Sequence, residues 1–194
     1  MPKSKRNDRS ITYASAINEA TRQLMAQDDS VFVLGIGVDD PRGIYGTTSN
    51  LSSEFGQDRV VNMPLAEDAI TGIASGSSMA GMRPIVVHER MDFMLLAMNQ
   101  LINVAAIIHY MYGGQRSFPI VFRTKVGGGT RRAAQHSQSP YSMFMNLAGL
   151  KLLLPSTPYD VKGLLKTAIR DNNPVIVFES ERLANYRGQV PRGD

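Results

Sequence analysis

The length and composition of the chain exclude several classes of protein. Its 194 residues, 43% of them apolar and 20% charged, are typical of one folded domain and not of a disordered or fibrous protein. Zero cysteines exclude disulfides, thiolate metal sites and a cysteine nucleophile.

The formal charge of +4 has a local origin. Much of it comes from the first ten residues, where no aromatic side chains interleave with the cations Lys3, Lys5, Arg6 and Arg9. A nucleic-acid surface is therefore not indicated. No apolar run approaches the roughly 18 residues of a membrane span, and the basic start lacks the apolar core of a signal peptide. We expect a cytoplasmic protein that binds neither membrane nor nucleic acid.

Six short apolar runs, five of them rich in β-branched residues, alternate with helical stretches along the chain. The predicted strands are VFVLG from Val31, RVVNM from Arg59, IVV from Ile85, IVFR from Ile120, LLL from Leu152 and VIVF from Val175. The predicted helices are Tyr13 to Ala26, Glu67 to Ala80, Phe93 to Tyr112, Tyr141 to Asn146 and Pro158 to Arg170, the last with Thr157 as its cap. This alternation predicts an α/β fold, a doubly wound parallel sheet with helices on both faces.

The predicted domain is flanked by two short segments. Residues 1–10 are interpreted as a basic flexible tail and residues 11–182 as the folded domain. Residues 183–194 turn polar and carry glycine and proline, which indicates a linker or a frayed C-terminus.

One carboxylate, Glu67, opens a helix that otherwise holds small and apolar residues. It follows a predicted strand, and in doubly wound sheets ligands bind beyond the carboxyl ends of the strands. A helix start favours the ionised acid and an apolar pocket favours the neutral one, so this group could share a proton with a heterocyclic nitrogen. An ordinary charge near a helix start is the alternative. Gly72 and Gly76 would let another backbone approach, either that of the sheet or that of a second subunit.

Two further polar positions lie on strand-to-helix connections. His88, Glu89 and Arg90 follow the strand at Ile85, where they could face a ligand or simply lie on the surface. His136 could be a catalytic group or a structural hydrogen-bonding residue. The glycines of LGIGV and KVGGGTRR lack the spacing of nucleotide-binding motifs, and no HExxH or GxSxG motif occurs.

Several motifs in one order identify a resemblance. Glu67-x4-Gly72-Ile73-x2-Gly76 is followed by AGMRPIV, NQLINVAAIIHYMYGGQ, FPIVFR, AAQHSQS and LPSTPYDVKGLLKTAIRDNNPVIVFE. From about Ile11 to Glu181 the chain resembles the pyrimidine-binding domain of β subunits of thiamine-diphosphate-dependent 2-oxoacid dehydrogenases, in the pyruvate dehydrogenase and transketolase-like family. The resemblance implies the thiamin-diphosphate-binding fold.

The resemblance also implies roles for individual residues. Glu67 matches the glutamate that hydrogen-bonds a pyrimidine ring nitrogen of thiamine diphosphate and activates the cofactor. Phe93 matches an aromatic ring stacked on the pyrimidine, and His136 matches a histidine near the reacting carbon that donates or accepts a proton. A structural potassium ion is implied at Ile120, Ala168, Ile169, Asp171 and Asn173.

Departures from the family pattern bear on substrate and partner. Ile36 and Gly37 stand where relatives commonly carry acidic residues, while His88 and Arg90 could hold a carboxylate or phosphate of an unusual substrate. No GDG motif for Mg2+ and diphosphate occurs, so a separate α-type chain is expected to supply that site. We expect an α2β2 heterotetramer with self-association through the Gly72/Gly76 helix. The chain stops where the family normally continues into a second domain, which predicts a fragment or a split subunit.

Three functions remain open from the sequence. The first is a β-type subunit of a 2-oxoacid dehydrogenase, with a decarboxylating, inter-subunit active site. The second is a split transketolase-like subunit that transfers a ketol or acyl unit to a sugar or another small acceptor. The third is a non-catalytic scaffold of the same fold, against which the presence of Glu67, Phe93 and His136 weighs.

Overall fold

A computed structural model describes residues 8–128 and 131–193 of the chain. In this part the strands are β1 (Asp8–Thr12), β2 (Val31–Gly35), β3 (Val60–Asn62), β4 (Arg83–His88), β5 (Val121–Val126), β6 (Lys151–Leu153), β7 (Val175–Ser180) and β8 (Arg187–Pro191). The α-helices are α1 (Tyr13–Gln27), α2 (Leu51–Phe55), α3 (Glu67–Met79), α4 (Met91–Met94), α5 (Ile108–Met111) and α6 (Pro158–Arg170). Shorter 3-10 turns and one π-helical segment (Gln100–Ala105) complete the chain trace.

Strands β2 to β7 form the parallel sheet that the alternation of strands and helices predicts. Its order is β3-β2-β4-β5-β7-β6, and all of its neighbouring strands are parallel. The chain adds β3 on one side of β2 and then crosses to β4 on the other side, which creates a switch point beside β2. The fold class is confirmed, and the carboxyl ends of the strands meet at one edge of the sheet, where ligands bind in such folds.

Helices cover both faces of this sheet. On one face, α1 and α6 pack together and enclose a core that includes Ile17, Leu24 and Leu165. On the other face, α3 and the helical segments between residues 91 and 111 enclose a second core that includes Ile70 and Leu101. The strands are buried from both sides, which explains their continuous apolar runs. None of the described helices has both the length and the hydropathy that crossing a bilayer would require.

Helix α6 shows why some boundaries are readable from the sequence. The hydroxyl of Thr157 accepts a hydrogen bond from the backbone N–H of Asp160 at 3.0 Å, and Pro158 occupies the first turn. A side-chain oxygen at this position satisfies a donor that the helix itself leaves unpaired. The predicted cap and both predicted ends of this helix are confirmed.

The single helix predicted from Phe93 to Tyr112 is wrong in detail. The segment consists of α4, a 3-10 turn at Leu95–Ala97, the π-helical segment and α5. In the π-helical segment the N–H of Ala106 reaches the carbonyl of Leu101, five residues back. The spacing of buried residues stays helical through this change, so the apolar pattern does not reveal it. The helix predicted at Tyr141 to Asn146 is likewise only a 3-10 turn at Tyr141–Phe144.

The two ends of the described chain pair with each other. Strands β1 and β8 form a two-stranded antiparallel sheet, with Ile11 opposite Gly188. Residues 8–10 are therefore not a flexible tail, and Arg187–Pro191 are not a frayed end, because each strand supplies backbone partners to the other and Val190 is fully buried. Lys3, Lys5 and Arg6 lie outside the described residues.

Candidate cofactor and catalytic site

Glu67 is the first residue of α3, at the carboxyl edge of the sheet. Its residue exposure is 8%, and no described residue makes a hydrogen bond or an ion pair with its carboxylate. Ala66 precedes it without a side-chain cap, so the free N–H groups of the first turn favour negative charge at this position. A buried acid without a partner is a group that a ligand can complete.

His88 lies behind Glu67 in a short chain of hydrogen bonds. The Thr71 hydroxyl donates to the Glu67 carbonyl at 2.8 Å, and the same oxygen lies 3.1 Å from Nε2 of His88. Because that hydroxyl proton is already used, Nε2 carries the proton and donates it to Thr71. Nδ1 of His88 is buried and has no partner among the described groups. Burial lowers the pKa of this imidazole to about 4, so it is neutral at physiological pH.

The structure brings Phe93 and His136 together. Phe93 belongs to α4 after β4, and His136 ends a 3-10 turn (Ala134–His136) after β5. Their ring centroids are 5.0 Å apart with an interplanar angle of 73°, an edge-to-face contact. The strands that lead to these residues are neighbours in the sheet, so both residues lie at the same edge as Glu67.

Arg90 is not exposed to a substrate in the structure. The residue is 1% exposed, and its guanidinium donates to a Glu181 carboxylate oxygen and to the Gly127 carbonyl, each at 2.7 Å. Its Nε lies 3.4 Å from Oδ2 of Asp92. Together with the burial of His88, this differs from the expectation that His88 and Arg90 face a ligand. The reason is local charge, since two buried carboxylates already surround the Arg90 cation.

A second polar region at the same edge was not identified from the sequence. The connection after β2, including Tyr45, borders a cavity of about 500 Å3 together with Glu89 and Arg132. Nζ of Lys125 lies 3.6 Å from the Tyr45 ring centroid. Burial lowers the pKa of Lys125 to about 7. Tyr45 has a left-handed φ of 55°, between Gly43 and Gly46. The glycines of RGIYG were the one visible signal of such a turn.

Gly76 lies on an open face of α3. A Cβ added at Gly76 would meet no atom within 4 Å, while one at Gly72 would meet the side chain of Gln100 at 3.7 Å. Neither glycine lies against the sheet, which α3 contacts through other residues such as Ile70. Ile73 between them is 53% exposed, and Leu65 just before the helix is 80% exposed. The exposed apolar face of α3 is available to another protein surface.

The residues implied for potassium lie at the opposite, amino edge of the sheet. Nη1 of Arg83 donates to the carbonyls of Ile169 and Asp171, each at 3.0 Å. The carboxylate of Asp171 binds Lys151 and Asn173. The Arg83 guanidinium thus occupies two of the carbonyl oxygens that the resemblance implies for potassium. The described residues contain no cluster of three or more His, Asp or Glu side chains able to hold a metal ion.

Three curated proteins that are similar to this chain are named as β subunits of dehydrogenases or oxidoreductases. The 2-oxoisovalerate dehydrogenase subunit beta of Bacillus subtilis (strain 168) is 46% identical over 185 residues, which cover 95% of this chain and 57% of that protein. The pyruvate dehydrogenase E1 component subunit beta of Gracilaria tenuistipitata var. liui is 45% identical over 184 residues, with the same coverage. The acetoin:2,6-dichlorophenolindophenol oxidoreductase subunit beta of Cupriavidus necator is 44% identical over 195 residues. The chain thus spans 57% of the length of each of these relatives.

A solved structure shares the fold of this chain, and a family model matches its sequence. A structure described as a split gene transketolase, inactive beta4 tetramer, superposes with a TM-score of 0.70 at 20% identity, covering 88% of this chain and 51% of the other. At that identity the match supports the fold alone. The family model described as transketolase, pyrimidine binding domain, matches residues 9–187. The chain belongs to the transketolase pyrimidine-binding domain family.

Proposed function

We propose that the chain acts as the pyrimidine-binding part of a β-type subunit in a thiamine-diphosphate-dependent 2-oxoacid dehydrogenase. The observation that carries this proposal is Glu67 at the start of α3, a residue only 8% exposed whose carboxylate has no partner among the described residues. Family membership and the names of the relatives at 44 to 46% identity support the reaction class.

The residues at the carboxyl edge fit one end of this cofactor. The Glu67 carboxylate would accept a hydrogen bond from the aminopyrimidine, and the low exposure of this residue would strengthen that bond. Phe93 would offer a ring face or edge to the heterocycle, and its contact with His136 would keep the imidazole beside it. When bound, thiamine diphosphate supplies a carbanion and an electron sink for decarboxylation of a 2-oxoacid. His136 would hold or release a proton near the substrate.

The proposed partner is an α-type chain that holds Mg2+ and the diphosphate. In the described part of this chain, no acidic cluster is suited to the metal. We propose an α2β2 assembly in which the exposed face of α3, with Gly76 and Ile73, lies in a subunit interface. A potassium ion at the amino edge of the sheet would be structural, since it would lie far from Glu67 along the strands.

A matched pair of acids tests the proposal. Glu67→Gln keeps the shape of a buried side chain but cannot exist as a carboxylate, whereas Asp68→Asn changes an exposed acid in the same helical turn. With the α-type chain, thiamine diphosphate and Mg2+ present, we expect Glu67→Gln to lose about 10²- to 10⁴-fold in turnover and Asp68→Asn to retain it. Equal activity of both variants would overturn the role of Glu67.

Substrate choice is measured in the same assembly. Dye reduction would be followed with pyruvate and with branched 2-oxoacids. Because ketol transfer involves no net oxidation, formation of the new ketose would be followed with ketose donors plus aldose acceptors. The proposal predicts turnover with a 2-oxoacid. Activity only with ketose and aldose would instead assign the split transketolase-like function. If the assembly with bound cofactor turned over none of these substrates, the chain would be a scaffold.

A further inference from the structure

The backbones of Gly127 and Gln138 are hydrogen-bonded to each other and to Arg90 and Asp92 at the start of α4. The N–H of Gly127 donates to the Gln138 carbonyl at 3.1 Å. The Gly127 carbonyl accepts from Arg90 at 2.7 Å, and the Gln138 N–H donates to Oδ1 of Asp92 at 3.1 Å. The contact between Arg90 and Asp92 at 3.4 Å closes the ring. Both backbone polar groups of Gly127 and of Gln138 are therefore satisfied within one ring of four residues.

This ring, the Arg90–Asp92 network, is buried and fixed from a third direction. The side chains of Arg90, Asp92 and Glu181 are only 1 to 2% exposed. Glu181 follows β7 and holds the Arg90 guanidinium at 2.7 Å. Charged hydrogen bonds of this kind are shorter and stronger than neutral ones, and they lose little to screening when water is excluded. The network is consequently a rigid link between the ends of β5 and β7 and the start of α4.

The position of the network relates it to the candidate site. Asp92 directly precedes Phe93, whose ring contacts His136, and Gln138 lies two residues after His136. One short helix, α4, thus contacts the His136 segment twice. The Asp92 carboxylate accepts a hydrogen bond from the Gln138 backbone, and the Phe93 ring packs against the His136 imidazole. Neither contact needs a cofactor or a second chain.

We propose that Arg90 and Asp92 are positioning residues. They hold residues 134–138 so that the His136 imidazole stays against the Phe93 ring at the carboxyl edge of the sheet. The catalytic consequence of this placement rests on the proposed function. The placement itself does not. Arg90 accordingly serves the protein and not a substrate carboxylate, and its two buried acids set its orientation.

Histidine NMR of the full 194-residue chain tests the placement without cofactor or turnover. The sequence contains three histidines, so selective isotope labelling gives three imidazole signals, and His136→Asn assigns the relevant one. Phe93→Leu removes the aromatic ring and defines the His136 chemical shift when the contact is lost. We expect Asp92→Ala and Arg90→Met to move the His136 shift toward that reference value. The signal of His109, remote in the sequence and bonded to Arg116, should stay in place.

A conservative variant separates position from mere stability. Asp92→Asn keeps an oxygen that accepts from Gln138 N–H, so it should retain the wild-type His136 shift, whereas Asp92→Ala should not. If Asp92→Ala does not fold, Asp92→Ser replaces it with the same expectation, because the serine side chain is too short for its hydroxyl to reach the Gln138 N–H. A folded Asp92→Ala or Asp92→Ser variant with an unchanged His136 shift would overturn the proposal.

Activity gives an independent readout in the assembled complex. Misplacement of His136 should lower kcat on the order of 10²-fold for Asp92→Ala with little change in KM, and Asp92→Asn should restore most of it. A shift change in the NMR experiment with no 2-oxoacid turnover in any variant, wild type included, would leave the network in place and refute the proposed function instead. Loss of kcat without the shift change would refute the network.

Discussion

The burial of His88 makes the stability of this protein depend on pH in a defined window. An unperturbed histidine has a pKa near 6.5, and burial lowers that of His88 to about 4. Between these values the unfolded chain binds a proton that the folded chain does not, so stability falls as pH decreases from about 6.5 to about 4. At about 1.4 kcal/mol for each pKa unit, the full loss is about 3 kcal/mol. The residue is 2% exposed, so solvent screens little of this cost.

His88→Leu removes the titrating group while Thr71 still donates to the Glu67 carbonyl. Urea unfolding of wild type and variant at pH 7, 6, 5 and 4 would give the free energy of unfolding for each protein. The carboxylates titrate in both, so the difference between the two curves isolates His88. We expect His88→Leu to gain up to about 3 kcal/mol on wild type between pH 7 and pH 4. Parallel curves for His88→Leu would refute the burial argument.

Three further predictions concern single sites. Thr157→Ala should cost about 1 kcal/mol and lower Tm by about 2–4 °C in calorimetry, since it removes the cap of α6, whereas Thr167→Ala on the exposed side of the same helix should not. Lys125→Met should raise Tm at pH 7, because a buried amine without a hydrogen-bond partner costs more than its contact with Tyr45 returns, and an unchanged or lower Tm would contradict this. Ile73→Asp should weaken self-association in sedimentation, while Tyr159→Asp on α6, a residue exposed to a similar degree, should leave it intact.

The strands of the sheet and the long helices were predictable because their signals are local. Short apolar runs, five of the six rich in β-branched residues, predicted all six strands of the parallel sheet. The helical apolar spacing predicted α1, α3 and α6 to within one or two residues at each end. Glu67, at the point where one such helix begins, could be singled out for the same reason. The contact between Phe93 and His136 was not predicted, because it joins two strand-to-helix connections 43 residues apart.

The remaining features depend on contacts between distant residues. The role of Arg90 could not be deduced because Glu181 lies 91 positions away along the chain. The pairing of β1 with β8 joins the two ends of the described chain, where composition alone indicated disorder. The π-helical turn after Gln100 leaves the apolar spacing unchanged, so no pattern reports it. Gly43 and Gly46 are the sequence signal for the turn at Tyr45. They do not reveal that the Tyr45 ring packs against Lys125, which is distant in sequence.

The most direct test of the role of Glu67 is a crystal structure of the chain assembled with its proposed α-type partner, thiamine diphosphate and Mg2+. We predict a Glu67 carboxylate oxygen within hydrogen-bond distance, about 2.6–3.2 Å, of a pyrimidine ring nitrogen. A Glu67 side chain turned toward solvent, or a cofactor bound elsewhere, would contradict it.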